Sequence, residues 1–384
     1  MFTRRDFSLM AGASTFALAS CTTTAADPSR PLEAEAGSVL QDAMAGKAVP
    51  GMAAVVIRDF RLETEYFAGV RALGSPTMIA PNDRWHIGSD GKAMTATLIA
   101  KLVEAGALSW ERPLSEMLPD LSTNMQPAYR DVTLPDLLSH HGGLPENTSD
   151  MDFFATFYED QSSPTEQRLR YITRCLSEAP IGPARAAPSY SNTGLLVAAA
   201  CAERAMNRSF ESLIVSEVFT PLDMASASFD QFGGPGEPMG HVDGRIADRP
   251  QDANPRMFAP AGAMRFSMRD WAKFCIDQMK GEHGQGRVLT ANSYRFLHTA
   301  QGASVDGAGW ALGWGAAPHP MHLRGPALTH SGSDGNWYAL VCLFPETGNG
   351  VLVAANAAES MQGDAATLVA LRALAATVAE PFEQ

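Results

Sequence analysis

The pattern of apolar positions predicts strands near both ends of the chain. Residues 52–57 form a continuous apolar run and residues 61–70 partly alternate, which is typical of two strands paired as a hairpin. Two later apolar runs, 337–344 and 350–356, flank a short segment with Pro and Gly that favours a hairpin turn. A shorter run, 310–315, is a further strand candidate.

The middle of the chain has helical periodicity instead. Met94, Leu98 and Leu102 recur every four residues after Gly91, which predicts a helix that ends near Gly106. Further helices are predicted over 31–46, 194–206, 268–279 and 365–379, with a short helix and turn inside 132–145.

Strands at both ends and helices between them predict an α+β fold. We expect one antiparallel sheet built from both termini and flanked by helices, with a mostly helical domain inserted. The sheet part is expected over about 32–80 and 285–384, and the helical part over about 81–284. With 384 residues, 45% of them hydrophobic, the chain is long enough for a large core.

The first residues are predicted to direct export. Arg4 and Arg5 precede an apolar stretch, 7–19, that is too short to span a bilayer and is typical of a secretory signal. The paired arginines followed by Asp6 and Phe7 resemble the twin-arginine export signal. We therefore expect the protein to be exported and periplasmic.

The end of this signal resembles a bacterial lipoprotein cleavage box. The four residues are Leu18-Ala19-Ser20-Cys21, and Cys21 would carry the lipid. Residues 1–21 are then the export signal and 22–31 a short polar tether. We expect contact with the membrane only through this anchor. A plain secretory signal, in which Cys21 is incidental, is the alternative.

Net charge and the spacing of metal-binding residue types limit the kinds of partner that this protein is expected to bind. The net charge is −13 and no basic run is visible, so nucleic acid is not expected as a partner, whereas a small-molecule or peptide substrate is. None of the nine histidines lies in an H-x-H or H-E-x-x-H motif, so no metal is expected. Apolar surroundings predict buried free thiols as the default for the remaining cysteines, although export permits disulfides that sequence cannot pair. These cysteines are Cys175, Cys201, Cys275 and Cys342.

Ser89 and Lys92 are the leading candidates for chemistry. Ser89 falls where the predicted helix that ends near Gly106 begins. Lys92 follows three residues later, so both side chains meet on one helical turn. A serine hydroxyl needs a neighbouring base, and a lysine among apolar residues loses its proton more easily. Of the five lysines, only Lys92 has a serine three residues before it. An ordinary N-cap is the alternative role for Ser89.

Tyr190 and Asn192 are candidate partners just before a buried helix. Tyr190 is the one tyrosine of seven with an asparagine two residues later. A lysine ammonium beside a tyrosine lowers the phenol pKa, so the phenol can shuttle protons. The asparagine could hold a substrate amide or fix the lysine. A structural role at the helix start is the alternative for the tyrosine.

A third candidate segment leads into a late strand. His330 is followed by the small residues 331–333, along which a substrate could lie. The amide of Ser333 could donate to an oxyanion together with the amide of Ser89. For His330 alone, a satisfied histidine in a turn is the alternative.

The order S-x-x-K, Y-x-N and H-x-G resembles the serine β-lactamase and penicillin-binding family, of the class C type. The segments 49–53, 136–145, 260–262 and 312–315 also resemble stretches of that family. The resemblance covers about residues 35–380, which assigns residues 32–380 to one β-lactamase-related serine hydrolase domain.

This resemblance implies a role for each candidate residue. The implied catalytic residues are Ser89, Lys92 and Tyr190, and the implied substrate-binding residues are Asn192, His330, Gly332 and Ser333. Ser89 is the acylated nucleophile, and Lys92 and Tyr190 transfer protons. Asn192 orients the substrate, and the amides of Ser89 and Ser333 form the oxyanion hole. No metal or organic cofactor is implied.

The third motif departs from the lactamase pattern. Class C β-lactamases carry K-T-G where this chain has His330-Ser331-Gly332, and a histidine is mostly neutral at pH 7. H-x-G is similar to what esterases, D-aminopeptidases and some D-peptidases of the family carry. We therefore expect an exported serine hydrolase for ester, amide or D-amino-acid peptide substrates, esterase-like or D-Ala peptidase-like. A β-lactamase and a non-turnover penicillin-binding receptor are the alternatives.

Overall fold

The computed structural model describes residues 39–234, 236–302 and 308–383. Its strands are β1 (Gly51–Arg58), β2 (Arg61–Gly69), β3 (Arg84–His86), β4 (His241–Val242), β5 (Arg245–Ile246), β6 (Arg265–Ser267), β7 (Gly309–Trp310), β8 (Gly315–Ala317), β9 (Ala327–Ser333), β10 (Tyr338–Phe344) and β11 (Asn349–Ala355). Its helices are α1 (described over 39–44), α2 (Lys92–Glu104), α3 (Leu114–Met117), α4 (Leu134–Leu138), α5 (Met151–Ala155), α6 (Pro164–Ser177), α7 (Asn192–Met206), α8 (Phe210–Ile214), α9 (Met268–Glu282), α10 (Ala291–His298) and α11 (Gly363–Ala375).

Strands from both ends of the chain form one seven-stranded sheet, in the order β2-β1-β11-β10-β9-β8-β7. All its described pairings are antiparallel; Val55, for example, pairs with Leu352 across β1 and β11. The predicted hairpin turn at 345–349 joins β10 to β11. The expected α+β fold with a sheet from both termini is therefore confirmed.

The interior strand β1 has a continuous apolar sequence because both of its faces are buried. Ala53, Val55 and Ile57 join the core shared with the helical part of the molecule. Their neighbours along the strand face a smaller core that includes Leu371 of α11. The sheet is therefore a middle layer, and β9, toward the β7 edge, packs against the turn that precedes α2.

The predicted strand over 310–315 is wrong in detail. The structure has two short strands there, β7 and β8, joined by a turn. Gly313 has a φ of 76°, a left-handed value that favours glycine, and a Cβ on it would lie 2.7 Å from the backbone oxygen of Lys92. The chain turns at this point because α2 lies directly against it.

The long helices lie close to their predicted positions. α7 begins at Asn192, two residues before the predicted start, because the Ser191 hydroxyl accepts a hydrogen bond from the Gly194 amide at 3.1 Å. α2 is almost wholly buried and ends at Glu104. None of the helices in the described ranges has the length and apolar character needed to cross a membrane.

Some of the predictions made from the sequence concern residues that the structure does not describe. The export signal, the lipoprotein box with Cys21 and the tether at 22–31 all lie outside the described residues.

The four later cysteines, Cys175, Cys201, Cys275 and Cys342, are buried free thiols. Across the three described ranges, no group of three or more His, Cys, Asp or Glu side chains could hold a metal ion.

Candidate active site

Ser89 lies in a 3-10 turn, Gly88–Gly91, between β3 and α2. Gly88 adopts a positive φ of 51°, and a Cβ on it would lie only 2.3 Å from the Ser333 amide nitrogen. Only glycine therefore fits where this turn passes the edge of β9. Ser89 itself is partly exposed, while the helix behind it is buried.

The Lys92 ammonium is wholly buried, with three acceptors around it. Its Nζ lies 2.9 Å from Ser89 Oγ, 2.8 Å from Asn192 Oδ1 and 2.5 Å from the Ala261 carbonyl oxygen. Burial lowers the pKa of Lys92 to about 7, against the opposing effect of the carboxylates Glu146 and Asp90. A large share of the molecules therefore carries a neutral Lys92 near neutral pH.

A neutral Lys92 matches these three neighbours well. Its two N–H bonds satisfy Asn192 Oδ1 and the Ala261 carbonyl, neither of which can donate in that direction. Its lone pair is then left for the Ser89 hydroxyl. The arrangement can therefore take the proton of Ser89 without any other change in hydrogen bonding.

Tyr190 approaches the same hydroxyl from another side. Its phenol OH donates to Ser89 Oγ at 2.6 Å, and Lys92 Nζ lies 4.8 Å from the centre of its ring. Burial raises the pKa of Tyr190 well above its ordinary value, and the hydrogen bond to Ser89 only partly offsets this. The expected lowering of the phenol pKa is therefore wrong in sign, because desolvation dominates and the carboxylates Glu146 and Asp90 act in the same direction. In this geometry the Tyr190 hydroxyl is placed to donate to Ser89 Oγ, and Lys92 Nζ is placed to accept the proton of Ser89.

Asn192 is the first residue of α7 and supports Lys92 rather than standing free. Its Oδ1 accepts from Lys92, and its Nδ2 donates to Asn147 Oδ1 at 3.2 Å. Its backbone amide donates to the Glu146 carbonyl at 3.0 Å. Of the two roles that the sequence left open, fixing the lysine is the one that these contacts describe. Its contact with a substrate stays a prediction.

Gly332 brings β9 against the nucleophile turn. A Cβ at Gly332 would lie 2.0 Å from the Ile87 carbonyl and 2.8 Å from the Ser89 amide nitrogen. Only a residue without a side chain permits this approach. The amides of Ser89 and Ser333 are therefore brought to the same small region, as an oxyanion hole requires.

His330 lies in the layer beneath this region. The side chain is only 2% exposed, with Nδ1 2.8 Å from the Ser331 carbonyl and 3.4 Å from Asp90 Oδ1. Its ring centre lies 5.9 Å from that of Trp310. Nε2 is buried and has no hydrogen-bond partner among the described residues. The role of His330 in substrate choice stays a prediction.

Two carboxyl groups near Lys92 were not singled out from the sequence. Asp90 lies next to Ser89, and burial raises its pKa to about 6 although His330 and Lys92 oppose the shift. Glu146 is exposed as a whole residue, yet desolvation of its carboxyl raises its pKa, again against Lys92. Asp90 could have been noticed as an acid inside a buried helix start; Glu146 could not, because it lies 54 positions from Lys92.

Ser89, Lys92 and Tyr190 together define a serine nucleophile with a built-in base and a proton donor. This is the arrangement of a serine hydrolase that forms an acyl-enzyme. The profile of the Beta-lactamase family matches residues 37–376. The chain therefore belongs to that family, and the resemblance noted in the sequence is confirmed.

Individual relatives are distant but extend over most of the chain. Penicillin-binding protein 4 of Amycolatopsis lactamdurans is 25% identical over 325 residues, which are 80% of each chain. Among solved structures, an octameric penicillin-binding protein homologue from Pyrococcus abyssi has a TM-score of 0.74 and 22% identity, over 90% of this chain and 77% of that one. A D-stereospecific amidohydrolase from Streptomyces sp. has a TM-score of 0.70 and 21% identity, over 88% of this chain and 97% of that one.

Proposed function

We propose that this protein is a serine hydrolase that cleaves ester or amide bonds through a Ser89 acyl-enzyme. The observation that carries the proposal is the position of Ser89 Oγ between Lys92 Nζ, at 2.9 Å, and the Tyr190 hydroxyl, at 2.6 Å. A serine placed only as a helix cap needs neither a buried lysine nor a phenol on its hydroxyl.

The proposed acylation step gives each of these groups a defined role. Neutral Lys92 accepts the proton of Ser89 as Oγ attacks the substrate carbonyl. The oxyanion that forms receives hydrogen bonds from the amides of Ser89 and Ser333, where one donor is typically worth about 10²–10³ in rate. The leaving group takes a proton from Tyr190, and the Lys92 ammonium returns one to the phenol. Water attacks the acyl-enzyme by the same proton path in reverse.

The charges around Lys92 favour acyl groups that carry an amine. The charged groups that oppose the fall in the Lys92 pKa are the carboxylates Glu146 and Asp90. Of these, Glu146 is exposed and can meet a substrate. A carboxylate there attracts an ammonium group and repels a substrate carboxylate. We therefore place esters and amides of amino acids, including D-amino acids, ahead of substrates that end in a carboxylate.

A D-Ala peptidase or β-lactamase activity is the second candidate. The family profile and the similarity to a penicillin-binding protein favour it. Both substrate classes carry a carboxylate, and the site offers the buried His330 where class C β-lactamases have a lysine. A receptor that is acylated without turnover is the candidate from another class; Lys92 and Tyr190 argue against it, because both serve deacylation as well.

We further propose that the protein is exported and anchored by a lipid at Cys21. The support is the sequence alone: Arg4-Arg5, the apolar stretch 7–19 and the box that ends at Cys21. In a host with lipoprotein processing, Cys21→Ser should move the protein from the membrane fraction to the soluble periplasmic fraction. Membrane attachment that survives this substitution would contradict the anchor.

A substrate panel tests the hydrolase proposal. The panel contains p-nitrophenyl butyrate, the p-nitroanilides of D-alanine and N-acetyl-D-alanine, a chromogenic cephalosporin and a peptide that ends in D-Ala-D-Ala. We expect turnover of the first two, with Ser89→Ala inactive. Glu146→Gln should reduce the preference for the free amine over its acetylated form by about 10-fold or less. A stoichiometric acyl adduct on Ser89, formed from one compound of the panel without turnover of any of them, would favour the receptor that is acylated without turnover.

A further inference from the structure

A buried imidazole lies between the two segments that carry the oxyanion amides. His86, the last residue of β3, is 2% exposed. Its Nδ1 accepts a hydrogen bond from the Gly88 amide at 3.1 Å. On the other side of the ring, Nε2 lies 3.4 Å from Asp334 Oδ2. His86 therefore contacts the segment just before Ser89 and the segment just after Ser333.

The hydrogen bond from Gly88 fixes the tautomer of His86. Because Nδ1 accepts, the neutral ring carries its proton on Nε2, facing the Asp334 carboxylate. Burial lowers the pKa of His86, Asp334 opposes this, and Arg265 adds to it. A ring protonated on both nitrogens would place an N–H against the Gly88 N–H. The neutral form is the one that suits both neighbours.

Hydrogen bonds from the following backbone amides hold the Asp334 side chain in place. Its Oδ1 accepts from the amides of Asn336 and Trp337, each at 3.1 Å. Its side chain has no exposed surface. The charged group nearest this pair on β6 is Arg265, which donates to the Arg84 carbonyl at 3.1 Å. The carboxylate therefore has little freedom to move independently of the residue that precedes it, Ser333.

The two segments meet where the oxyanion must bind. A Cβ on Gly88 would lie 2.3 Å from the Ser333 amide nitrogen, and a Cβ on Gly332 would lie 2.8 Å from the Ser89 amide nitrogen. The two backbones lie against each other with no Cβ between them, so contacts at their flanks can adjust the spacing of the two amides. His86 and Asp334 supply such a contact through the residues that adjoin Ser89 and Ser333 in the chain, Gly88 and Asp334 itself.

We propose that His86 is a positioning residue for the oxyanion hole, holding the Ser89 amide in register with the Ser333 amide through Gly88 and Asp334. This inference rests on the proposed function, because it assumes that Ser89 attacks a carbonyl. It adds a residue that touches neither the substrate nor the Ser89 hydroxyl. The ring acts as a fixed link rather than as an acid or base.

Three substitutions separate the two halves of the link. His86→Leu removes both contacts. His86→Asn keeps an acceptor for the Gly88 amide, because an asparagine side chain accepts from the amide two residues later in an Asx turn, but it cannot reach Asp334. Asp334→Asn keeps an acceptor for the turn amides, while its NH₂ can face the Nε2–H of His86 and repel it.

The readout is the ratio of kcat/KM for an ester to that for the matching thionoester. Sulfur is a poor hydrogen-bond acceptor, so a well-placed oxyanion hole favours the oxygen ester, and a misplaced hole favours it less. A loss of fold lowers both rates together and leaves the ratio unchanged. The matched control is His298→Gln, because His298 is also a buried histidine, in contact with Glu282, but on α10.

We expect His86→Leu to lower kcat/KM for the ester by about 10- to 100-fold, mainly through kcat, and to lower the oxygen-to-sulfur ratio by a similar factor. His86→Asn and Asp334→Asn should show smaller changes in the same direction, and His298→Gln an unchanged ratio. A ratio within about twofold of wild type in His86→Leu overturns the inference, whether or not activity falls.

Fluorophosphonate labelling of Ser89 separates this outcome from a failure of the proposed function. If wild-type protein is neither labelled at Ser89 nor active on the ester, the hydrolase proposal fails, and the positioning role fails with it. If wild type is labelled but hydrolyses neither the ester nor the thionoester, the rates of fluorophosphonate labelling replace the ratio of kcat/KM values as the readout. We then expect slower labelling of His86→Leu than of His298→Gln, and equal rates would overturn the inference.

Discussion

Lys92 and Arg168 are both wholly buried cations, and their direct partners differ. Arg168 on α6 contacts two carboxylates, Glu203 on α7 and, at 2.7 Å, Glu211 on α8. Burial alone would lower the pKa of Arg168, but Glu211 and Glu203 outweigh it and raise the pKa. Arg168 therefore remains charged and joins three helices.

Lys92 is buried to the same extent but contacts only neutral acceptors. A hydroxyl, an amide oxygen and a backbone carbonyl surround its Nζ, and its carboxylate neighbours act from farther away. Burial therefore prevails and lowers the pKa of Lys92 to about 7. Neutral partners leave Lys92 able to act as a base, whereas two carboxylates and the high intrinsic pKa of a guanidinium keep Arg168 a structural ion.

The largest expected effect concerns the chemistry of Lys92. We expect Lys92→Met and Tyr190→Phe each to lower kcat/KM by about 10²–10⁴-fold, and the double variant to lose little more, because one proton path contains both groups. Lys101→Met is the matched control on the same helix, since Lys101 Nζ donates to the Val288 carbonyl at 3.0 Å and does not contact Ser89 or Tyr190. Losses that multiply in the double variant would indicate independent roles.

The next effect concerns stability and Arg168. Arg168→Met leaves Glu203 and Glu211 without their cation, so we expect a loss of about 3–5 kcal/mol in the free energy of unfolding. Lys92→Met leaves no contacting carboxylate behind and should cost clearly less. Urea denaturation, monitored by tryptophan fluorescence, measures the free energy of unfolding of both variants. Equal costs for the two variants would remove the distinction between the two cations.

The pH dependence of stability provides a third test. The pKa of Lys92 is about 7 in the folded protein, whereas an unperturbed lysine side chain has a pKa of 10.5. Between these values the unfolded chain binds a proton that the folded chain does not, so stability rises with pH, by at most about 1.4 kcal/mol per unit. Below about pH 7 both states are protonated and the full cost of burial remains.

The comparison with Lys92→Met isolates this contribution. The free energy of unfolding of wild type, relative to that of Lys92→Met, should increase from about pH 7 to 9. The variant shows no such increase because it lacks the titrating lysine. Because Arg168 keeps its proton throughout, Arg168→Met should retain the wild-type slope. Parallel curves for wild type and Lys92→Met would contradict a lowered lysine pKa.

The smallest expected effect concerns Glu146. This carboxylate raises the pKa of Lys92, so Glu146→Gln should move the acidic limb of the kcat/KM profile to lower pH. Because Glu146 is exposed, solvent screens its charge and the shift should be small. Glu217→Gln, which removes a surface carboxylate 3.7 Å from Arg208, is the control. A shift to higher pH would contradict the assigned sign.

The sequence could predict the fold and the central pair of the site because both depend on local patterns. Continuous apolar runs identified the strands buried on both faces. Ser89 and Lys92 could be paired because residues three apart share a helical turn. Tyr190 and Asn192 were candidates because of their spacing before a buried helix, and the order of motifs in a known family linked them to Ser89.

The rest depends on contacts that no local pattern encodes. The Ala261 carbonyl that accepts from Lys92 is a backbone group 169 positions away. The sign of the Tyr190 pKa shift depends on desolvation, which is a property of the packed fold. The interruption of the strand near Gly313 results from α2 lying against it. The contact between His86 and Asp334 joins positions 248 apart.

The most direct test of the difference between the two cations is the titration of Lys92 itself. Protein labelled with ¹³C at lysine Cε gives one signal per lysine, and the Lys92 signal is assigned by its loss in Lys92→Met. We predict that its chemical shift titrates with a midpoint near pH 7, together with the acidic limb of kcat/KM. A Lys92 signal that does not titrate between about pH 5 and 9 would contradict the account, because the lysine would then be a permanent cation.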